Sequence, residues 1–263
     1  MPLCTLPKTT ITEAMILTIA HKEFRNLFAA PSTWIILGVL QFIFAWIFIV
    51  LLGDFLQEQT QYTQYLNPPG ATQSIASTLL GTYVVALILM MLVPIFTMRL
   101  IAEEQRNQTL VLLMAAPIAS WEIILGKFLG LFLFLSLIIA ACFLMLLTLA
   151  LGTPLDFGLL LTNTLGLLLL TACYTALGLY FSTLTAQPIV AATGTLAILF
   201  GLWLLDVAGS STSMILKALS PTIHFQSFSS GLLLSKDLAF FILFCTICLL
   251  LAIRRLHNTR IYG

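Results

Sequence analysis

FLGLFLFLSLIIAACFLMLLTLAL, residues 128–151, runs for twenty-four positions without one Asp, Glu, Lys or Arg. A helix needs about 20 apolar residues to cross the hydrocarbon core of a bilayer. The run is continuously apolar and does not alternate, so it does not read as a strand of a membrane barrel. It reads as a transmembrane helix. Five further stretches read the same way: 33–53, 76–98, 159–181, 188–208 and 237–253. The last is the shortest and is expected to borrow from the segment before it.

Composition agrees. Of 263 residues, 60% are hydrophobic and 8% charged, and the mean hydropathy is +1.08. A soluble domain carries about 25% charged residues. The net charge of +1 sets up no global field for nucleic acid. A soluble enzyme, a disordered tail and a nucleic-acid binder are excluded. Lys and Arg then set the orientation. Lys8, Lys22, Arg25, Arg99, Arg106, Lys127, Arg254, Arg255 and Arg260 fall on one side, against Lys217 and Lys236 on the other. Both termini are therefore expected in the cytoplasm.

No charge falls in the middle of a span, and Asp206 and Asp237 are expected at helix ends within reach of water or headgroups. This argues against a proton-coupled carrier, which needs an ionisable group at membrane depth. Cys142, Cys173, Cys245 and Cys248 lie in apolar runs and read as packing residues. Cys4 lacks the long apolar run that precedes a lipidated cysteine, and residues 1–30 are too charged for a cleavable signal peptide.

Three segments outside the spans carry pattern. Residues 13–29 place Ile16, Ala20, Phe24, Leu27 and Phe28 on one helical face and Thr18, His21, Lys22 and Arg25 on the other. This is an amphipathic interface helix with its basic face to headgroups, stopped by Pro31, with Trp34 anchoring the first span. The loop 99–127 opens with Arg99, Glu103, Glu104 and Arg106, which continue the second helix, and a short helix over Thr109 to Ala115 ends before Pro117. Ser120, ahead of Trp121 and Glu122, reads as the cap of a fresh helix. A loop that only returned the chain needs about five residues, so this elbow is built to touch something. In the third segment, 209–236, Pro221 breaks the chain and Phe225, Phe228, Leu232 and Leu233 are placed to re-enter the outer leaflet. His224 has no Cys, His or acid at ligand spacing and reads as an interfacial histidine, so no metal is expected. The other exterior loop, 54–75, is rich in Gln, Thr and Tyr and holds an Asn67-Pro68-Pro69-Gly70 turn.

The inventory for catalysis is missing. There is no GxSxG, no HExxH and no GxxxxGK[ST] P-loop, so no catalytic residue is assigned. Gly126 and Gly130 form a GxxxG that signals close helix packing. Gln41, Asn163, Tyr174 and Thr175 are the polar span residues able to line a route, although packing is the safer reading for Asn163, Tyr174 and Thr175.

The string VPIFTMRLIAEEQRNQTLVLLMAAPIASWEIILGKFLG, residues 93–130, resembles the signature of ABC-2 type transporter permeases. The resemblance rests on Glu103-Glu104, Arg106, Thr109-Leu110, Leu112-Leu113, Pro117, Trp121-Glu122-Ile123 and Gly126-Lys127, with Gln108 standing where the family has glycine. It continues in 219–238 and in the helix ending at Pro31, covers about 15–255, and is similar to the gliding-motility and copper-enzyme-maturation subgroup. It implies an all-α integral membrane protein: one domain over 1–263, six transmembrane helices, both termini inside, and an inner-membrane location. In it, 13–29 is the connecting helix. A coupling helix carrying Thr109, Leu110, Leu112, Leu113 and Met114, closed by Pro117, inserts into a separate ATPase. Lys22, Arg25, Glu103, Glu104, Arg106, Trp121 and Glu122 hold the elbow to the connecting helix. The segment around Pro221, His224, Phe225 and Phe228 is a re-entrant exterior cap. The resemblance also implies two ATPase subunits that bind ATP and magnesium, none being bound here, and a second permease chain, identical or a paralogue. Besides an exporter permease, two readings stay open: an ABC-linked complex acting on an exterior accessory protein, and a stand-alone channel or membrane enzyme.

Overall fold

The computed structural model describes residues 8–62, 75, 77–81, 83–110, 118–152, 155–207 and 219–262. Among them 91% are helical and none lies in a strand. The helices are α1 (Lys8–Ala29), α2 (Pro31–Tyr62), α3 (Ser77–Gly81), α4 (Tyr83–Leu100), α5 (Ala102–Arg106), α6 (Ser120–Leu147), α7 (Phe157–Leu184), α8 (Pro188–Val207), α9 (Pro221–Ser229) and α10 (Ser235–Tyr262). A 3₁₀ turn, Thr148–Leu151, extends α6. Among the described residues, six helical stretches are long and apolar enough to cross a membrane: Pro31–Gln57, Val84–Arg106, Ser120–Ala150, Phe157–Leu184, Pro188–Asp206 and Ser235–Arg260.

Two boundaries differ from the sequence expectation. In the second span, α3 leans on α7 and α9, and among the described residues the stretch able to cross a membrane starts at Val84. The third begins at Ser120 instead of 128, because Glu122 closes the start of the helix by accepting from the Ala119 N–H at 3.0 Å. Ala119 is thus the cap, and Ser120 is the first helical residue. The sixth borrows little from the preceding segment. Instead α10 runs on to Tyr262, about 40 Å at 1.5 Å per residue.

α7 is the hub and touches α3, α4, α6, α8, α9 and α10. Asp156 starts it by accepting from the Gly158 and Leu159 N–H groups at 3.0 and 3.3 Å. Its buried Leu160, Leu167, Leu170 and Cys173 join Phe96, Phe134, Phe225 and Phe241 in one core. Close approach comes from small residues. A side chain at Gly178 would strike Thr97 of α4, and one at Gly166 would lie 2.6 Å from Phe228 of α9. α2 keeps Trp34, Ile35, Phe42 and Trp46 exposed, and α8 keeps Ile189 and Val190 exposed, surfaces suited to lipid.

α4 and α5 form one column with a break at Ile101. The break leaves backbone donors without an intrahelical acceptor. Ser182 of α7 takes both, its Oγ accepting from Ile101 N at 3.2 Å and Ala102 N at 2.9 Å. A single hydroxyl thus ties the exit of the second span to the end of the fourth.

Candidate functional site

The basic end of the bundle gathers α1, α5, the start of α6 and the end of α10. α1 turns Ile16, Ile19, Ala20, Phe24, Leu27 and Phe28 inward and leaves Leu17, Thr18, His21, Lys22 and Arg25 exposed. The faces are those of the amphipathic pattern, but the apolar one lies along α6. Glycine makes the contact close. A Cβ at Gly126 would sit 2.7 Å from the Ile19 side chain, and one at Gly130 would sit 2.9 Å from both Ala20 O and Glu23 Cβ. Phe28 then meets Trp34 at 5.5 Å and Phe134 at 5.4 Å between ring centroids, and the Trp34 indole donates to Phe28 O at 2.8 Å. That bond fixes the corner between α1 and α2.

Between these helices lies a buried ion cluster. Lys127 is fully buried, and its Nζ donates to Glu23 Oε1 on α1 at 2.9 Å and to Glu104 Oε1 on α5 at 2.8 Å. One ammonium therefore joins three separate chain segments. Taking a charge out of water costs several kcal/mol unless partners compensate. Two carboxylates do so here, and the buried Glu104 Oε2 has no hydrogen-bond partner among the described residues.

The elbow continues through a strained turn. Asn107 N donates to Glu103 O at 2.9 Å and Gln108 N to Gln105 O at 3.2 Å, and Thr109 Oγ1 donates to Glu104 O at 3.3 Å. Gln108 takes φ +58°, the left-handed region that glycine enters without cost. A glycine at 108 would take this conformation without strain. Gln108→Gly is expected to stabilise the chain by about 1 kcal/mol net of the freer unfolded state, and Gln108→Val to destabilise it. Thermal unfolding in detergent reads both; a lower midpoint for Gln108→Gly would contradict the strained turn.

Thr109 is exposed and Leu110 is buried at 3% exposure. Leu112, Leu113, Met114 and Pro117 lie outside the described residues. On the return side, Glu122 is buried, Trp121 is 40% exposed, and Arg260 of α10 donates to Ile118 O at 2.7 Å. A cavity of 430 Å³ lies beside the elbow, lined by Arg106, Ala186, Gln187, Pro188 and Ile189.

Of the residues expected to hold the elbow to the first helix, Glu104 is in the cluster, while Lys22, Arg25, Glu103 and Arg106 lie outside it. The residue reaching Glu104 is Lys127, which also holds Glu23; pattern reading assigns neither Lys127 nor Glu23 a part in holding the elbow. Their signal is a carboxylate on the apolar stripe of α1 and a lysine between two packing glycines. At the other end, His224 Nδ1 lies 2.6 Å from Asp237 Oδ1 and the ring stacks 4.0 Å from Phe240. Asp237 is buried at 1% exposure and not open to water, because α9 folds back over the start of α10. Phe225 and Phe228 are buried, whereas Leu232 and Leu233 are exposed. Asn163, Tyr174 and Thr175 are all buried on α7, about 16 Å separating the first two along the axis. Gln41 is half-buried on α2, whose main neighbours are α1 and α6.

A family model, described as ABC-2 family transporter protein, matches residues 17–258, from within α1 to within α10. The chain belongs to the ABC-2 transporter family. It is a multi-pass membrane protein and a membrane permease component of an ABC transporter, a family that generally works with an ABC ATPase. No curated protein matches the chain. Within the matched span, the ion cluster joins α1 and the stretch just before 109–115 to the third spanning helix of this ABC-2 component.

Proposed function

We propose that the chain moves substrate out across the inner membrane, with both termini cytoplasmic, as one of two permease chains driven by two copies of a separate ATPase. The nucleotide and its magnesium bind in that partner, and 109–115 is the segment that docks there. The observation that carries this reading is the Lys127 cluster. A push on the segment following Gln108 reaches Glu104 within about one turn. Through Lys127 it then bears on α1 and α6 together, and through Ser182 on α7. A load at the elbow thus tilts spanning helices instead of bending a loop. α9 caps the exterior end of the path, and the sequence signature resembles that of the gliding-motility and copper-enzyme-maturation permeases.

The tagged chain, purified from native membranes in mild detergent, is expected to bring a stoichiometric protein with a P-loop. Isolation of the chain alone, under conditions where a known ABC complex survives, would overturn the reading. Leu112→Asp or Leu113→Asp is expected to uncouple ATP turnover from transport by roughly tenfold or more, by burying a charge against the partner, while thermal stability stays unchanged. Normal coupling would remove 109–115 from the docking role.

A further inference from the structure

Several buried hydroxyls along α7 have hydrogen-bond partners. Thr162, Thr171, Thr175 and Thr183 each donate to a carbonyl three or four residues back, and Ser182 accepts from the elbow. Asn163 is fully buried, and among the described residues neither its Oδ1 nor its Nδ2 has a partner. A buried amide left unpaired costs free energy and calls for a reason. It stands about 9 Å along the axis from the start of α7.

The surroundings are shaped around it. A Cβ at Gly81 of α3 would fall 3.4 Å from Asn163 Oδ1 and would also strike the Ser229 hydroxyl of α9. One turn further on, Gly166 seats Phe228 and Phe225. α9 thus lies over Asn163 on two glycine seats. Pro221 at its start and Gly231, at φ +80° just past its end, limit it to nine residues. Its polar ties include His224 to Asp237 at 2.6 Å and Gln226 to Asp206 at 3.5 Å. It is a local unit of nine residues, and its displacement would uncover Asn163 while exposing Phe225 and Phe228.

We propose that Asn163 is the recognition point of a ligand site covered by α9. Its ligand is an uncharged group presenting a donor and an acceptor side by side, a carboxamide or peptide bond, on an apolar body. Asn offers the complementary acceptor and donor pair. A carboxylate offers no donor and carries a charge that this apolar surrounding disfavours. The proposal rests on the permease reading for its biological sense, since a covered site facing one side suits a transported molecule.

The test uses the full-length chain in detergent, with octanamide as probe and octanoate as its charged counterpart. Octanamide at about ten times its Kd is expected to raise the wild-type unfolding midpoint by roughly 3–5 °C, and octanoate by less than half as much. Asn163→Leu is expected to raise the ligand-free midpoint, because the orphaned amide is gone, and to abolish the octanamide shift. His224→Ala, which loosens α9, is expected to enlarge that shift. An Asn163→Leu chain that keeps the octanamide shift, or unfolds at a lower temperature without ligand, overturns the proposal. So does a wild-type chain indifferent to octanamide. These readouts need no ATPase, so failure of the permease reading shows separately, as a chain that purifies without a P-loop partner.

Discussion

Lys127→Met is expected to lower the unfolding midpoint in detergent by on the order of 10 °C, the largest effect of any single substitution outside the hydrophobic core. Removing one partner of a buried ion pair costs roughly 3–5 kcal/mol, because the charges left behind have neither water nor a counter-charge. Here two carboxylates are left, with the Glu23 and Glu104 side chains only 10% and 24% exposed. Lys127→Arg does not rescue, since the site leaves Lys127 no exposed surface and a guanidinium is larger and planar. The triple variant Lys127→Met, Glu23→Met, Glu104→Gln is expected to recover the midpoint to within about 1 kcal/mol of wild type, since well-packed neutral replacements of buried ions are often neutral or stabilising. In the assembled transporter, that triple variant is expected to remain poorly coupled, because a stable elbow without directional bonds no longer transmits load. Wild-type stability for Lys127→Met would mean that the cluster is solvated or absent.

Gly130→Leu is expected to detach α1 from α6. The Cβ alone would press on Ala20 O and Glu23 Cβ at 2.9 Å, and a backbone carbonyl cannot rotate aside as a flexible side chain can. Overpacking costs typically about 1–3 kcal/mol where neighbours can relax. A leucine here exceeds what the seat absorbs, so the helix moves and Glu23 leaves Lys127. Gly130→Leu and Lys127→Met should therefore combine to less than the sum of their separate effects, since each breaks the same contact. Gly38→Leu and Gly201→Leu serve as controls: nothing lies within 4 Å of a Cβ at either position, and both are expected to be tolerated. Protease sensitivity of the 1–30 region, measured beside thermal stability, reports whether α1 has detached. Additive effects, or an α1 still protected in Gly130→Leu, would count against this packing.

The candidate site is half legible in the sequence. The elbow is visible because Glu103, Glu104 and Arg106 interrupt an apolar run, and because Pro117 and Trp121-Glu122 punctuate the stretch between that run and the third span. The GxxxG at Gly126 and Gly130 announces a close approach but not which helix approaches. Glu23 is hidden because helical periodicity sorts residues into faces by polarity. A carboxylate on the apolar face counts as noise until a lysine 104 positions later is found 2.9 Å away. Lys127 is hidden for the complementary reason: a lysine next to a span reads as a headgroup anchor when nothing local says that it turns inward. Asp237 likewise reads as a wetted helix end, yet it is sealed by His224.

Composition and period alone dictate the class of the protein. Six apolar runs require a helical membrane protein, because backbone polar groups in lipid must be satisfied within the segment. The asymmetry of Lys and Arg points to an orientation, and the amphipathic period of 13–29 sets the two faces of α1. Which helix covers which is a matter of the folded molecule. In lipid all apolar faces are nearly equivalent, so pairing is set by small residues and a few polar contacts and not by hydrophobicity. The seating of α1 on Gly126 and Gly130, the hold of Ser182 on the elbow, and the closure of α9 over Asn163 each depend on residues brought together from distant parts of the chain. A one-dimensional pattern contains no distances between such residues.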